Sequence, residues 1–423
     1  IGMVHQHFML VESFTVLENL LLGAEGGARL SAAGRAGART EWGALARGHG
    51  LDVPLDAIVG ELPVGVQQRV EILKVLGRKA EILILDEPTA VLTPAEANRL
   101  FQLLGRLRAQ GKAVILVTHK LREIMAVTDR VTVMRQGAVV AEFATAATSP
   151  GELAEKMVGR PVLLQIEKGP ARPGEVLLEA ERLEVADDRG VRRVKGISFA
   201  VRAGEIVGIA GVAGNGQSEL LEALAGIRAP RAGTVRIAGR DAAGQDPAQR
   251  RRLGLAHVPE DRLRHGVVAG FAADENFILG QHERPGLSRR GLLDRPAISA
   301  ACRRAMEEYD VRPVAPRLRL GAFSGGNQQK LVMARELGSD PRVLLVGQPT
   351  RGVDIGAIEF IHRRLIALRD TGKAVLLVSV ELDEILGLAD RILVLSGGEI
   401  VGELTRAEAT EEKLGLLLAG VAS

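Results

Sequence analysis

The sequence predicts an α/β protein made of two tandem copies of one domain, each a mainly parallel sheet flanked by helices, the first copy incomplete. Three observations carry this. The chain repeats itself at one constant offset, short apolar runs alternate with helical patterns, and a glycine-rich loop follows one such run. With 423 residues there is room for two to three domains.

The offset that carries Glu87 onto Gln348 also carries Leu85-Asp86-Glu87-Pro88-Thr89 onto Val346-Gly347-Gln348-Pro349-Thr350. It carries Val64-Gly65-Val66-Gln67-Gln68 onto Gly325-Gly326-Asn327-Gln328-Gln329, and Asp129-Arg130 onto Asp390-Arg391. No gap is needed between Leu62 and Val133. Upstream, Glu18-Asn19 matches Glu275-Asn276 at a slightly different offset, so a short insertion lies between. A repeat of this length marks duplicated domains, not a solenoid. The expected domains are 1–168 and 176–423, joined by a Pro/Gly linker over 169–175. Residues from about Val176 to Leu253 have no partner in the first copy. By that comparison the first copy is expected to lack on the order of 80 residues, half a small domain. The chain also opens on Ile1 without an initiator Met.

The elements follow the same rhythm. Ile82 to Leu85 and Ala113 to Val117 are apolar runs of buried-strand size. Between them, Ala97, Leu100, Leu103, Leu104 and Leu107 recur at helical spacing from Pro94 to Ala109, with Thr93 as N-cap and Gly111 as terminator. Strand, helix, strand predicts a parallel sheet covered by helices.

Composition narrows the class. Basic and acidic residues number 55 and 52, a near balance that does not favour a nucleic-acid partner. One cysteine, Cys302, excludes an intrachain disulfide and a cysteine metal cluster. No apolar run has the length of a membrane span, and the N-terminus does not resemble a secretion signal.

The chemistry-bearing segments come next. Gly211, Gly214, Asn215, Gly216, Gln217 and Ser218 form a glycine-rich turn between a strand pattern and a helical one, the context of a phosphate-binding loop. The usual lysine is replaced by Gln217, which removes a charge from bound phosphate. Asp86 and Glu87 end an apolar strand, where one acid can serve Mg²⁺ and the next a water. His119 follows the next strand. Read singly, each of these is also compatible with plain structure.

Together they carry a resemblance. Phe323-Ser324-Gly325-Gly326-Asn327-Gln328 resembles the signature motif of the ABC ATPases. Asp86 and Glu87 resemble that family's Walker B acid and catalytic glutamate, His119 its switch histidine, Gln6 its Q-loop glutamine and Asp354 its D-loop. The resemblance covers nearly the whole chain. It implies ATP and Mg²⁺ as cofactors and two composite sites, each between the Walker motifs of one copy and the signature of the other. The first would join Asp86, Glu87, His119 and Gln6 to Ser324, Gly325, Gly326 and Gln328, with Asp86 and Gln6 toward Mg²⁺. The second would join the Gly211–Ser218 loop to the first copy's Pro63-Val64-Gly65, where Ser and Gly are expected. There Gly347, Gln348 and Val380 stand in place of the acids and the histidine. All the losses fall on one site, so one hydrolytic and one degenerate site are expected. The chain as it begins at Ile1 is expected to hydrolyse ATP poorly.

The tandem arrangement, the Asn-Gly-Gln-Ser loop and Gln-Pro-Thr-Arg-Gly-Val-Asp resemble the ATPase of simple-sugar and nucleoside importers, with a lean to the nucleoside branch. This implies peripheral attachment at the cytoplasmic face of the membrane. The implied partners are membrane-spanning permease subunits and an extracytoplasmic substrate-binding lipoprotein. His7 to Leu10 and Leu263 to Val268 are candidate permease contacts. Alternatives are a soluble ribosome- or DNA-associated ATPase of the same fold and a non-hydrolysing scaffold.

Overall fold

A computed structural model describes residues 1–423 except 6–7, 24–31, 79, 90–91, 93, 136, 164–165, 167, 213, 283, 285, 290–291 and 419–423. The chain separates into two compact units, Ile1–Val162 and Leu163–Ser423.

In the first unit, β1 (Gly2–Val4), β2 (Ile82–Asp86) and β3 (Ala113–Val117) form a parallel sheet in that order. A separate hairpin pairs β4 (Arg130–Arg135) with β5 (Ala138–Ala144). The helices are α1 (Val16–Leu21), α2 (Ala32–His49), α3 (Val64–Gly77), α4 (Pro94–Ala109), α5 (Leu121–Val127) and α6 (Pro150–Val158). The predicted helix over 94–109 is present with Leu100, Leu103, Leu104 and Leu107 buried. Its expected cap, Thr93, lies outside the described residues. Gly77 ends α3 directly under Trp42: a Cβ there would sit 2.0 Å from the indole, so only glycine permits this approach.

The second unit is larger. An antiparallel sheet holds β6 (Val176–Ala186), β7 (Arg192–Arg202), β9 (Ala232–Ile237) and β10 (Arg240–Asp241). The main sheet holds β8 (Glu205–Gly211), β11 (Leu255–Val258), β14 (Val343–Gly347), β15 (Ala374–Ser379), β16 (Arg391–Ser396) and β17 (Glu399–Thr405), in the order β11-β14-β15-β8-β16-β17. Only the last pair is antiparallel. A two-residue ladder, β12 (Ser288–Arg289) with β13 (Leu292–Leu293), sits apart. The helices are α7 (Gln217–Ala225), α8 (Pro247–Arg252), α9 (Ala273–Phe277), α10 (Arg295–Glu308), α11 (Gly325–Leu337), α12 (Ile355–Asp370), α13 (Leu382–Leu388) and α14 (Glu411–Leu418). Among the described residues no helix is long and apolar enough to cross a membrane.

Alternation along the main strands fills two cores. Leu344 and Val346 join one with the helices, while Val343 and Leu345 join the other with α7 and the antiparallel sheet. Ile166 packs against the first of these cores, and Lys168 bonds to Asp390 at 2.7 Å, so the segment ahead of β6 is anchored within the second unit.

The internal repeat holds in three dimensions. β2 and β14, β3 and β15, and β4 and β16 correspond at the one offset, down to a bulge at Val133/Met134 and at Val394/Leu395. The Glu-Asn match has a structural reason. Buried Asn19 accepts from Val11 N–H at 2.8 Å and donates to Val11 C=O at 3.0 Å; Asn276 does the same to Val268 at 2.8 and 3.0 Å. Glu18 and Glu275 accept the N–H of Thr15 and Ala272, each at 2.9 Å, at the start of α1 and α9.

The units differ in what surrounds β3 and β15. In the second, β8 lies between β15 and β16 and buries both. In the first, no described strand lies between β3 and β4. Ile115 is 50% exposed and Val117 49%, whereas their counterparts Leu376 and Val378 are fully buried.

Two outcomes are expected. Backbone amides of β3 exchange with deuterium before those of β15, because among the described residues β3 is paired on one side only and has exposed side chains; equal protection would contradict this. Asn276→Ala strands the Val268 amide and carbonyl and is expected to destabilise the second unit by ~1–3 kcal/mol in denaturant unfolding; a loss within error would show that water replaces the side chain.

Candidate functional site

In the first unit the chemistry gathers where parallel strands end. β2 stops at Asp86, and Glu87 turns the chain in a left-handed conformation with φ 45°. The Glu87 N–H donates to Val117 C=O at 2.8 Å, which fixes the turn to β3. That places the Glu87 Oε1 3.0 Å from His119 Nδ1, both side chains about one-fifth exposed. Buried Glu123 braces the surroundings: it accepts from Thr118 Oγ1 at 2.9 Å, in the segment after β3 that carries His119, and from Thr89 Oγ1 beyond Glu87. Gln68 on α3 donates to Pro88 C=O, tying that helix to the same turn. Gln6 lies outside the described residues, two positions after β1. One strand-end carboxylate, Asp86, suits Mg²⁺, which takes one or two protein acids and completes its shell with phosphate and water.

The second unit repeats the backbone and changes the groups. Gln348 has φ 46° and donates its N–H to Val378 C=O at 2.8 Å, the counterpart of Glu87. Val380 stands where His119 does, and its backbone N–H donates to Gln348 Oε1 at 3.3 Å. Gly347 takes the position of Asp86.

The glycine-rich loop joins β8 to α7, at the centre of the sheet. Gly216 caps the helix at φ 102°, a conformation that favours glycine, and a Cβ there would strike Arg193 C=O. Gln217 is buried and used within the loop: its Nε2 donates to Val212 C=O at 2.8 Å and its Oε1 accepts from Asn215 N–H at 3.1 Å. Asn215 Oδ1 accepts from Gly397 N–H at 3.2 Å. Gly211 and Gly214 flank the turn, while Ala213 lies outside the described residues. Ser218 Oγ donates to Glu260 Oε2.

Ser324 is the exposed N-cap of α11, and its hydroxyl accepts from Asn327 Nδ2 at 2.8 Å. Gly325 and Gly326 open that helix. Gln328 turns inward, donating to Leu320 and Phe323 carbonyls at 3.2 and 3.0 Å, so its amide nitrogen serves the fold. Asp354 caps α12 through Ala357 N–H at 2.9 Å. In the first unit the equivalent cap is Pro63, which has no hydroxyl to offer.

Two residues here escaped the motif reading. Arg262 donates to the Arg351 and Gly352 carbonyls at 2.7 and 3.3 Å and lies against Gly325. Glu260 follows β11 as Gln6 follows β1: Val258 pairs with Val346, and Val4 with Leu85. That register was the available signal. Burial pushes the Glu260 carboxyl above its ordinary range, against the Ser218 hydroxyl, which lowers it.

Comparison with known proteins shows the family. The family model described as ABC transporter matches residues 1–90 and 194–351. The nucleoside import ATP-binding protein NupA of Lactococcus lactis is 47% identical over 99% of this chain and 83% of its own length. The guanosine import ATP-binding protein NupO of Bacillus subtilis is 46% identical over 99% and 82%, and the ribose import ATP-binding protein RbsA of L. lactis 38% over 99% and 84%. Among solved structures, the archaeal ribosome recycling factor aABCE1, in complex with the stalk protein aP1, covers 99% of this chain and 76% of its own at TM-score 0.65 and 20% identity, a likeness of fold alone. The chain belongs to the ABC transporter family, as a tandem of two ABC ATPase units akin to import ATP-binding proteins.

Proposed function

We propose that this protein is the ATP-hydrolysing subunit of an importer for a nucleoside or simple sugar, with one hydrolytic and one non-hydrolytic nucleotide site. The observation that carries the asymmetry is the Glu87–His119 pair at 3.0 Å, set against Gln348 facing a backbone N–H in the second unit. A carboxylate accepts a proton from an attacking water; an amide does not.

In the hydrolytic site Glu87 polarises the water and His119 holds the Glu87 carboxylate in place. Asp86, with Gln6, would hold Mg²⁺, which when bound would supply charge to neutralise phosphate. The Gly211–Ser218 loop binds nucleotide with backbone amides and the α7 dipole, and the site it serves lacks a base. The identity of the solute as nucleoside or sugar is supported by the relatives NupA, NupO and RbsA.

The partners of such a subunit are permease subunits in the membrane, which it meets on the cytoplasmic face, and through them an external substrate-binding protein. The surface after β1 and β11 supports this. Met9 is 64% exposed, while Leu10 packs on the core. Leu263, Val268 and Phe271 are exposed at 59%, 41% and 46%. Phe14, the counterpart of Phe271, lines a groove of about 890 Å³ with Leu17, Leu22 and Arg39. Apolar groups clustered on a rim of polar ones suit a short amphipathic helix of a permease.

The test is Mg²⁺-dependent ATP turnover by the full-length protein with its permease. Glu87→Gln is expected to lower turnover by ~10²-fold or more, the scale of a lost general base. Gln348→Glu is expected to change it little. Turnover that survives Glu87→Gln would move catalysis away from the first unit.

A further inference from the structure

α5 and α13 occupy matching positions in the repeat, and each buries a glutamate at the same place, Glu123 or Glu384. Glu123 joins two stretches of chain. Its Oε1 accepts from Thr89 Oγ1, two residues beyond Glu87, and its Oε2 from Thr118 Oγ1 at 2.9 Å, one residue before His119. Thr118 Oγ1 in turn accepts from Lys120 N–H at 3.0 Å, on the far side of His119. The carboxylate therefore ties the segment that follows Glu87 to the segment that brackets His119.

In the second unit that tie is absent. The counterparts Thr350 and Ser379 keep their hydroxyls, and Ser379 Oγ still accepts from Glu381 N–H at 3.1 Å. Among the described residues no hydrogen bond joins either hydroxyl to Glu384. Glu384 Oε1 instead accepts from His362 Nε2, on α12, at 3.0 Å, and its Oε2 has no partner. At the place of His362, α4 carries Phe101, which has no N–H to offer. The main-chain turn is nonetheless the same in both units: Glu87 and Gln348 have φ 45° and 46°, and each N–H is held at 2.8 Å. The fold of the turn thus does not require the tie. What the first unit has and the second lacks is the Glu87–His119 pair at 3.0 Å.

We propose that Glu123 is a positioning residue for ATP hydrolysis, holding Glu87 and His119 in register through Thr89 and Thr118, and that His362 has drawn its counterpart away from that task. This rests on the reading that Glu87 is the base. A base works only when held within about 0.5 Å of its productive position. Hydroxyl bonds to a buried carboxylate are charge-assisted and sheltered from water, so they suit that work.

The experiment measures kcat, KM for ATP and melting temperature for the full-length protein with its permease. Thr118→Val removes one hydroxyl at constant shape. Phe101→His offers Glu123 the imidazole that Glu384 accepts. Each is expected to lower kcat about tenfold, less than the ~10²-fold that a misplacement of about 1 Å costs, with KM and melting temperature unchanged. Thr118→Ser, which returns the hydroxyl, is expected to recover most of the kcat. Wild-type kcat in either Thr118→Val or Phe101→His, with Glu87→Gln inactive beside it, overturns the role of Glu123 and leaves Glu87 as the base. A fall in melting temperature or a rise in KM that accounts for the lost turnover marks a structural contact only, and also overturns it. Turnover that survives Glu87→Gln overturns the underlying reading of the base.

Discussion

Both units depend on one backbone hydrogen bond. At the end of β2 and of β14 the chain enters a left-handed residue, Glu87 or Gln348, whose N–H is held by the neighbouring strand at 2.8 Å. A non-glycine residue in that conformation carries strain, which persists only where the surroundings enforce it. Here the parallel register enforces it twice. The side chain at that position then faces a residue just beyond the next strand. In one unit that residue is His119, in the other Val380. The same backbone thus presents an acid paired with an imidazole, or an amide satisfied by a main-chain N–H.

The second unit has not simply decayed. Gln217 replaces the expected lysine yet closes its loop at both ends, so the turn stays organised without the charge. Glu260 fills the space over Gly347 and meets Ser218. Arg262, two residues on, ties the same segment to the turn before α12 and to Gly325. Each change is matched by a neighbour, so the loop and the strand end stay packed.

Most of the fold was legible because the repeat is ungapped where it matters: a single offset orders β2, α4, β3, α5 and β4 against their counterparts. Glu18-Asn19 and Glu275-Asn276 recurred because each asparagine bonds both main-chain groups of one loop residue, Val11 or Val268. The limits are equally physical. Glu260 was hidden because it lies upstream of the ungapped stretch and is of a different type from Gln6; the pairing of β1 with β2 and of β11 with β14 aligns them. Gln328 read as a ligand contact from its motif, but its amide is spent on carbonyls at the foot of α11. The antiparallel sheet of β6, β7, β9 and β10 was not anticipated, since its long-range pairings leave no local signature beyond alternation.

The central claim is that the two nucleotide sites differ in chemistry, one cleaving and one only binding. It is tested most directly by trapping the full-length protein with its permease in Mg²⁺, radiolabelled ATP and vanadate, then identifying the nucleotide bound at each unit. The account predicts trapped ADP at the site of Asp86 and Glu87, and uncleaved ATP at the Gly211–Ser218 loop. ADP with vanadate at both would contradict it.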